Sequence, residues 1–277
     1  MRSAVIIVTY NSAADLQDCI ECLSAPLRQH LIVVDNASQD ESRDIARRER
    51  ATLIELPRNL GFGAAVNAGL QAVKTQYVLL LNPDCRLPPE TLDSLESTLD
   101  AMPEIAAVSP AMRYPGGSAG IAGGPSASMT KEWLASLGLD RLIPRSVLRK
   151  LASHERLVNA FPMLQYGGAA EGEDTVHILD WISAYCMLIR TDALRQVEGF
   201  DESFFLYFED VDLCRRLGTA GWKVGLVAGV STLHIESTST RAVGKGPLYL
   251  DGMACYFEKH GSMLQRWSAR CLRRVGA

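Results

Sequence analysis

No stretch of this sequence approaches the roughly 18 consecutive apolar residues that a membrane-spanning helix needs. The N-terminus offers one arginine and then a short apolar run, Ala4 to Val8, that stops at Thr9. Such a run has the length of a strand, not of a signal peptide's apolar core, so the expectation is a soluble, cytoplasmic chain, at most attached to a membrane surface. Excess charge is scarce as well: 28 Lys and Arg against 32 Asp and Glu leave a net charge of -4, and the basic face that a nucleic acid requires is not implied. Cysteine is present but unpaired in pattern. Seven scattered residues, several inside apolar segments, suit reduced core positions better than a disulfide framework. Cys19 and Cys22 have zinc-like spacing, yet no second such pair accompanies them, which leaves packing on a helix face. Internal repeats and low-complexity tracts are missing too.

What is there is an alternation. Short β-branched runs at Ala4–Tyr10, Leu31–Asp35, Thr52–Leu56, Tyr77–Leu81 and Ile105–Ser109 are separated by helix-like stretches at Ala13–Ser24, Asp40–Glu49, Gly63–Val73 and Pro88–Leu99. Continuous apolar runs of this length suit strands covered on both faces, and their alternation with helices predicts an α/β fold built on a parallel doubly wound sheet. From Arg113 to Thr175 the pattern weakens around paired glycines and short helical stretches such as Thr130–Leu139 and Arg145–Leu151, as in an insertion. Regular structure returns at His177–Ile189, then as a helix over Asp210–Ala220, a strand over Lys223–Val230 and a helix from about Leu248. The resulting division is a single domain with a first half at 1–112, an insertion at 113–176, a second half at 177–247 and a C-terminal helix at 248–277.

Doubly wound sheets bind ligands outside the carboxyl ends of their strands, and three polar clusters stand there. Thr9, Tyr10 and Asn11 follow the first strand, and Asp35 with Asn36 follows the second; an acid at that second tip can accept from a ribose hydroxyl or a base N–H. Either group alone is ordinary turn punctuation, but together they favour a nucleotide. Asn82, Pro83 and Asp84 follow the fourth strand, where a carboxylate could hold Mg²⁺ or Mn²⁺ against a diphosphate. Farther on, Glu209, Asp210 and Asp212 sit among aromatics at a helix start. There an acid either serves the helix terminus or has its basicity raised for general-base work. His234 lies beyond the strand at Lys223–Val230 and gains weight from the suspected metal site. Competing patterns are thinner. Gly61 and Gly63 begin a dinucleotide-like fingerprint, but Val66 occupies the third glycine's place and the run follows the third strand, not the first.

With those residues assembled, the chain resembles an inverting family 2 glycosyltransferase of the GT-A fold, in the bacterial rhamnosyltransferase-like branch. The resemblance is carried by VIIVTYNSAADL from Val5, LIVVDNASQD from Leu31, RNLGFGAAVNAGL from Arg58, YVLLLNPDCRLPPETL from Tyr77, LDWISAYCMLIR from Leu179 and FDESFFLYFEDVDLCRRLGTAGW from Phe200. It implies a Rossmann-like, mostly parallel sheet in which Thr9, Tyr10 and Asp35 hold the nucleoside and Asn59 and Asn67 shape its pocket. Asp84 matches the metal-binding acid of the family's DxD element, although Asn82 replaces the first Asp; His234 completes the expected protein ligands to a divalent cation, Mg²⁺ or Mn²⁺. Asp210 matches the catalytic base, with Glu209, Trp181 and Ser183 bordering donor sugar and acceptor. The implied donor is a nucleoside-diphosphate sugar, with dTDP-L-rhamnose favoured, and the implied acceptor is a saccharide or lipid-linked saccharide in cell-surface polysaccharide or lipopolysaccharide synthesis.

Two other functions share parts of this pattern. A metal-dependent nucleotidyltransferase would need a basic phosphate grip near the first strand, such as a glycine-rich loop with lysine, which is missing. A non-catalytic nucleotide-sugar-binding protein would differ only in the lack of transfer. At the C-terminus, Phe257, Met263, Leu264, Trp267, Cys271 and Val275 fall near one helical stripe, with Lys259, Arg266, Arg270 and Arg273 largely off it. Such a helix either packs its stripe on the domain or makes peripheral contact with an anionic membrane.

Overall fold

The apolar runs form strands, and alternation along each strand sends successive side chains to opposite layers. This computed structural model describes residues 2–136, 175–235 and 245–276. Its first strands are β1 (Ser3–Thr9), β2 (Leu31–Asp35), β3 (Thr52–Glu55), β4 (Tyr77–Leu81), β5 (Cys85–Arg86) and β6 (Ile105–Arg113). The helices among them are α1 (Ala13–Glu21), α2 (Ala25–Arg28), α3 (Ser42–Arg48), α4 (Phe62–Leu70) and α5 (Pro89–Ala101). Val5, Ile7, Val33, Leu79 and Leu81 enter one buried layer with Leu16 and Ile20 of α1, Ile45 of α3 and Leu95 of α5. Ala4, Ile6, Ile32, Val34, Val78 and Leu80 enter the opposite layer with Ala65, Val66 and Leu70 of α4. Both faces being covered explains why these strands read as unbroken apolar runs. Cys19 is one of the packed residues, buried on α1 with its thiol against the Asn82 carbonyl at 3.5 Å.

The remaining elements are β7 (Gly123–Gly124), α6 (Met129–Ser136), β8 (Val176–Leu179), β9 (Trp181–Ile182), β10 (Cys186–Arg190), α7 (Thr191–Gln196), α8 (Glu209–Thr219), β11 (Lys223–His234), α9 (Lys245–His260) and α10 (Met263–Gly276). Among the described residues the main sheet runs β3-β2-β1-β4-β10-β6-β11-β5, with β8 also on β11. The expected parallel pairing holds from β3 through β4 and between β6 and β11. The rest is mixed: β10 enters antiparallel between β4 and β6, and β5 and β8 pair antiparallel with β11. A short buried run reads the same in either direction, so pattern alone does not reveal the reversal. Within the expected insertion, β7 and α6 are regular, whereas Arg145–Leu151 and the glycine pair at 167–168 lie outside the described residues.

A third apolar cluster gathers Phe204, Phe208 and Val211 with Met253, Tyr256 and Phe257 of α9 and Ala269 and Leu272 of α10. The C-terminal stripe therefore divides. The chain turns at Gly261 and Ser262, so α9 buries Phe257 at 2 % exposure while Met263, Leu264, Trp267 and Val275 of α10 stay 64 to 88 % exposed. The stripe as a whole does not pack on the domain, because Ala269 and Leu272 on the opposite side of α10 fill that role.

A buried ion cluster ties these layers. Asp212, 1 % exposed, meets the Arg216 Nε and the His260 Nε2, each at 2.7 Å, and Arg216 also donates to the Val197 and Gly199 carbonyls at 2.6 and 2.8 Å. Of the three acids near the start of α8, this one serves the fold. Asp212→Ala is expected to cost about 2 to 3 kcal/mol in urea unfolding, somewhat less than a fully buried pair because both Arg216 and His260 reach water; a change under about 0.5 kcal/mol would place it with ordinary surface substitutions.

Candidate active site

Register places the first two clusters together. Thr9 pairs with Asp35 across β1 and β2, so a buried hydroxyl and a buried carboxylate emerge side by side at the sheet's carboxyl edge. The Thr9 hydroxyl has no hydrogen-bond partner among the described residues, an expensive state that a ligand's polar atom would relieve. Asp35 accepts from the Ser38 N–H at 3.1 Å and has the Arg43 Nε at 3.8 Å, while Tyr10 beside it is 43 % exposed. Asn36 then crosses to the next turn, its amide donating to the Gly61 carbonyl and accepting from the Leu60 N–H. Asn59 accepts from the Gly61 N–H at 3.0 Å and shapes that turn from within. Asn67 lies on α4. Its amide donates to the Phe200 carbonyl and to Glu202 and accepts from the Phe200 N–H, so both amide hydrogens are committed to joining α4 to the Phe200 segment. It stands outside the set of strand-tip residues.

The third cluster acquires a partner from far along the chain. β11 continues past Val230 to His234, with a register shift between Val227 and Ser231, and its last residues pair with β5 so that His234 lies across from Cys85. The Ile235 N–H donates to the Asp84 carbonyl at 2.9 Å. Ligand atoms of Asp84, Cys85 and His234 consequently lie within 4.8 Å of one another, with the His234 Nε2 3.5 Å from an Asp84 oxygen. Tyr114 and Tyr185 stand edge-on to the imidazole at 6.1 and 5.9 Å between ring centres. The His234 Nδ1 is buried without a hydrogen-bond partner among the described residues, which suits a nitrogen meant for another ligand. A hard divalent cation fits the carboxylate and imidazole. Cys85 fits it poorly, because a thiol is a soft ligand for such an ion, and full burial pushes its pKa well above the ordinary range.

Asp210 reaches the same corner through two consecutive residues. The Asn82 N–H, at the exit of β4, donates to the Tyr185 carbonyl at 2.8 Å, and the Ala184 N–H donates to Asp210 at 3.4 Å. Asp210 also accepts from its neighbour's N–H, Val211, at 2.8 Å and from the Ser183 hydroxyl. Ser183 is itself held by its N–H to the Ala122 carbonyl. Burial raises the Asp210 pKa despite these donors, and Glu209 is pushed up by burial and then by Asp210 beside it. One Glu209 oxygen is buried with no partner among the described residues. The pair thus favours a single shared negative charge, an arrangement that makes one carboxylate a better base. Trp181 borders this region with its indole N–H given to the Pro125 carbonyl at 3.0 Å, so its ring is what remains for a ligand.

Two successive aromatic residues before α8, Tyr207 and Phe208, have left-handed φ of 68° and 67°. Each costs about 1 to 3 kcal/mol. Phe204 at 0 % and Phe208 at 6 % exposure offset this, since a buried Phe contributes about 1.5 to 3 kcal/mol. Gly61 fixes one side of the turn: at φ 91°, a Cβ there would lie 2.3 Å from the Phe205 carbonyl oxygen, which accepts from the Phe62 N–H at 3.0 Å. Gly252 of α9 fixes the other, where a Cβ would lie 2.3 Å from the Tyr207 oxygen. A cleft of about 700 Å³ opens beside the turn, between it and α9 and α10, but none of the expected site residues lines it. The strand ends, not that cleft, gather the chemistry.

Sequence reading missed three contributors. Tyr114 and Tyr185 flank His234 through tertiary packing that no spacing encodes. Asp15 lies within the first motif, and its pKa is raised by burial and by nearby Asp84, which puts a further acid near Asp84 and His234.

A mixed α/β sheet with a buried hydroxyl and carboxylate at two strand tips, a carboxylate and histidine at a third and a half-buried aspartate beside them outlines a candidate site. The comparisons are specific. A sequence model described as glycosyl transferase family 2 matches residues 4–151, and the chain belongs to that family; it is a glycosyltransferase. It is 29% identical over 251 residues to the N-acetylglucosaminyl-diphospho-decaprenol L-rhamnosyltransferase of Mycobacterium tuberculosis, covering 85% of this chain and 76% of that one. Among solved structures it is similar to the mannosyltransferase PcManGT from Pyrobaculum calidifontis in complex with GDP-Man and Mn²⁺, with TM-score 0.57, 16% identity and coverage of 99% of this chain and 69% of that one. S. aureus TarS 1-349 in complex with UDP-GlcNAc gives TM-score 0.58, 16% identity and coverage of 99% and 70%. These structural likenesses establish the GT-A fold.

The raised Glu209 pKa has a thermodynamic sign. A carboxyl whose folded pKa exceeds its unfolded value contributes stability below the unfolded value, and that contribution is lost as pH rises through the folded one. Glu209→Gln is therefore expected to gain melting temperature over the parent progressively from about pH 5 to about pH 8. A gain that does not vary with pH would refute the assignment.

Proposed function

We propose that this enzyme transfers a sugar from a nucleoside-diphosphate donor, dTDP-L-rhamnose, to a saccharide or lipid-linked saccharide acceptor with inversion at the anomeric carbon, in the synthesis of a cell-surface polysaccharide or lipopolysaccharide. The M. tuberculosis relative's name supports both the rhamnosyl donor and the diphospholipid-linked acceptor. Residues 1–112 are the nucleotide-binding half and 177–247 the acceptor and catalytic half, with the insertion at 113–176 between them. The protein works in the cytoplasm, at the inner face of the membrane that carries its acceptor.

Thr9 and Asp35 receive the nucleoside and Tyr10 covers it, while Asn59 holds the adjoining turn. Asp84 and His234 hold Mg²⁺ or Mn²⁺; when bound, such an ion neutralises charge on the departing diphosphate. Asp210 takes the proton from the acceptor hydroxyl, whose oxygen attacks the anomeric carbon on the face opposite the leaving group. The new C–O bond forms as the bond to diphosphate breaks, with no glycosyl-enzyme stage, by the same geometric logic as an inverting glycosidase. Ser183 and the Ala184 N–H aim the Asp210 carboxylate, Glu209 raises its basicity, and the Trp181 ring and Ser183 border the sugars. The observation that carries the reading is Asp210 itself: a half-buried carboxylate of raised pKa, joined through Ala184 and Tyr185 to the Asp84 turn.

Asp210→Asn is expected to lower turnover by about 10³-fold, within the range for loss of a general base, with dTDP affinity by calorimetry unchanged. Full turnover in that variant would remove Asp210 from the base role. In the same titrations, adding Mn²⁺ should tighten dTDP binding to the parent and have little effect on Asp84→Asn or His234→Ala. Equal metal dependence in all three proteins would place the ion elsewhere.

A further inference from the structure

The outward side of α10 has no place in the transfer reaction. Met263, Leu264, Trp267 and Val275 are 88, 73, 64 and 79 % exposed, while Ala269 and Leu272 hold the helix to the body of the protein. At about 100° per residue the exposed apolar side chains cover roughly 120° of the helix surface. Arg266, Arg270 and Arg273 lie to one side of that arc and Arg274 lies within it, and the helix contains no acidic residue, in a chain whose net charge is -4. Glu258 and Asp251 of α9 pair with Arg270 and Arg273. Arg266 bonds to the Gly261 carbonyl, and neither it nor Arg274 forms an ion pair among the described residues. The local surface is thus apolar and net positive.

We infer that α10 lies in the plane of an anionic lipid bilayer, with Met263, Leu264 and Trp267 in the headgroup and acyl boundary and Arg266 and Arg274 against lipid phosphates. The helix has 14 residues, about 21 Å in length, too short to cross the roughly 30 Å hydrocarbon layer, and no described helix is long and apolar enough to do so. An apolar arc beside cationic side chains, with a tryptophan in it, matches what the interface rewards, since the aromatic ring and arginine stems bury while their polar ends stay wet. With Glu258 and Asp251 already engaged by Arg270 and Arg273, the charge left over on this face is the positive charge of Arg266 and Arg274, which favours lipid phosphate. Arg270, Arg273 and Arg274 also line the cleft between α10 and the Ser203–Leu206 segment that leads to Asp210. Docking through this face therefore brings the approach to the catalytic turn against the bilayer. The inference extends the reading of the acceptor as lipid-linked and supplies the surface by which the enzyme meets it.

The test uses the 277-residue protein with sedimented vesicles of phosphatidylcholine, with or without phosphatidylglycerol, and contains neither donor nor acceptor. Binding to the anionic vesicles is expected, weakened by added salt and weak on phosphatidylcholine alone. Leu264→Ser with Trp267→Ser should reduce it at least about tenfold, and Arg274→Glu by a few-fold. These positions are exposed, and unchanged thermal melting and dTDP binding would show the variants to be folded. Failure of the parent to bind anionic vesicles, or equal binding by the serine variant, would overturn the inference and leave the transfer reaction untouched. A parent dimer that the serine variant dissociates, with no vesicle binding, would overturn it by assigning the face to a second copy.

Discussion

The turn from Phe205 to Phe208 is under backbone strain, and two close contacts hold it in place. Tyr207 and Phe208 adopt a left-handed conformation that their side chains disfavour, and they keep it because Gly61 on one side and Gly252 on the other let neighbouring backbone approach where any Cβ would collide. The first contact joins the turn to the start of α4, and the second joins it to α9. Immediately after Phe208 the chain enters the first turn of α8, which carries Glu209 and Asp210. The positions of Glu209 and Asp210 thus depend on packing at both flanks of the strained turn. Burial of Phe204 and Phe208 in the third apolar cluster supplies the free energy that keeps the turn closed.

Three acids within four positions meet three different environments, and the differences are a matter of who their neighbours are. Asp212 faces Arg216 and His260 and becomes a structural ion pair. Asp210 faces hydroxyl and amide donors but no cation close enough to neutralise it among the described residues, so burial keeps its proton affinity high. Glu209 lies beside Asp210 with one oxygen unsatisfied, and repulsion between the two favours a single charge. A cation beside Asp210 would have made it a weaker base.

The corner formed by Asp84 and His234 shows the same dependence on long-range pairing. Asp84 leaves β4 at a position any doubly wound sheet would offer to a ligand, but a single carboxylate is a weak cation site. The reversal of β10 and the length of β11 add what is missing. Tyr185 arrives before β10 and His234 at the end of β11, where pairing with β5 places the imidazole beside Asp84.

From the sequence came the elements and the order in which they occur. Apolar runs with β-branched residues, cut by polar turns, locate β1, β2 and β4 within a residue because local propensity and burial on both faces write the same signal. For the same reason Thr9, Asp35, Asp84 and Asp210 were legible as ligand candidates, since strand tips and helix starts are local features. Three-dimensional packing decided the rest. Pairing direction is not encoded in a short buried run, so the antiparallel entry of β10 was invisible. Asn67 has the composition of a pocket residue, and only its contacts with Phe200 and Glu202 reveal a side chain committed to the fold. In the C-terminal stripe the spacing was legible but which side is covered was left open, because that depends on where the neighbouring helix ends. The turn at Gly261 and Ser262 let Ala269 and Leu272 pack inward and left Met263, Leu264 and Trp267 facing out.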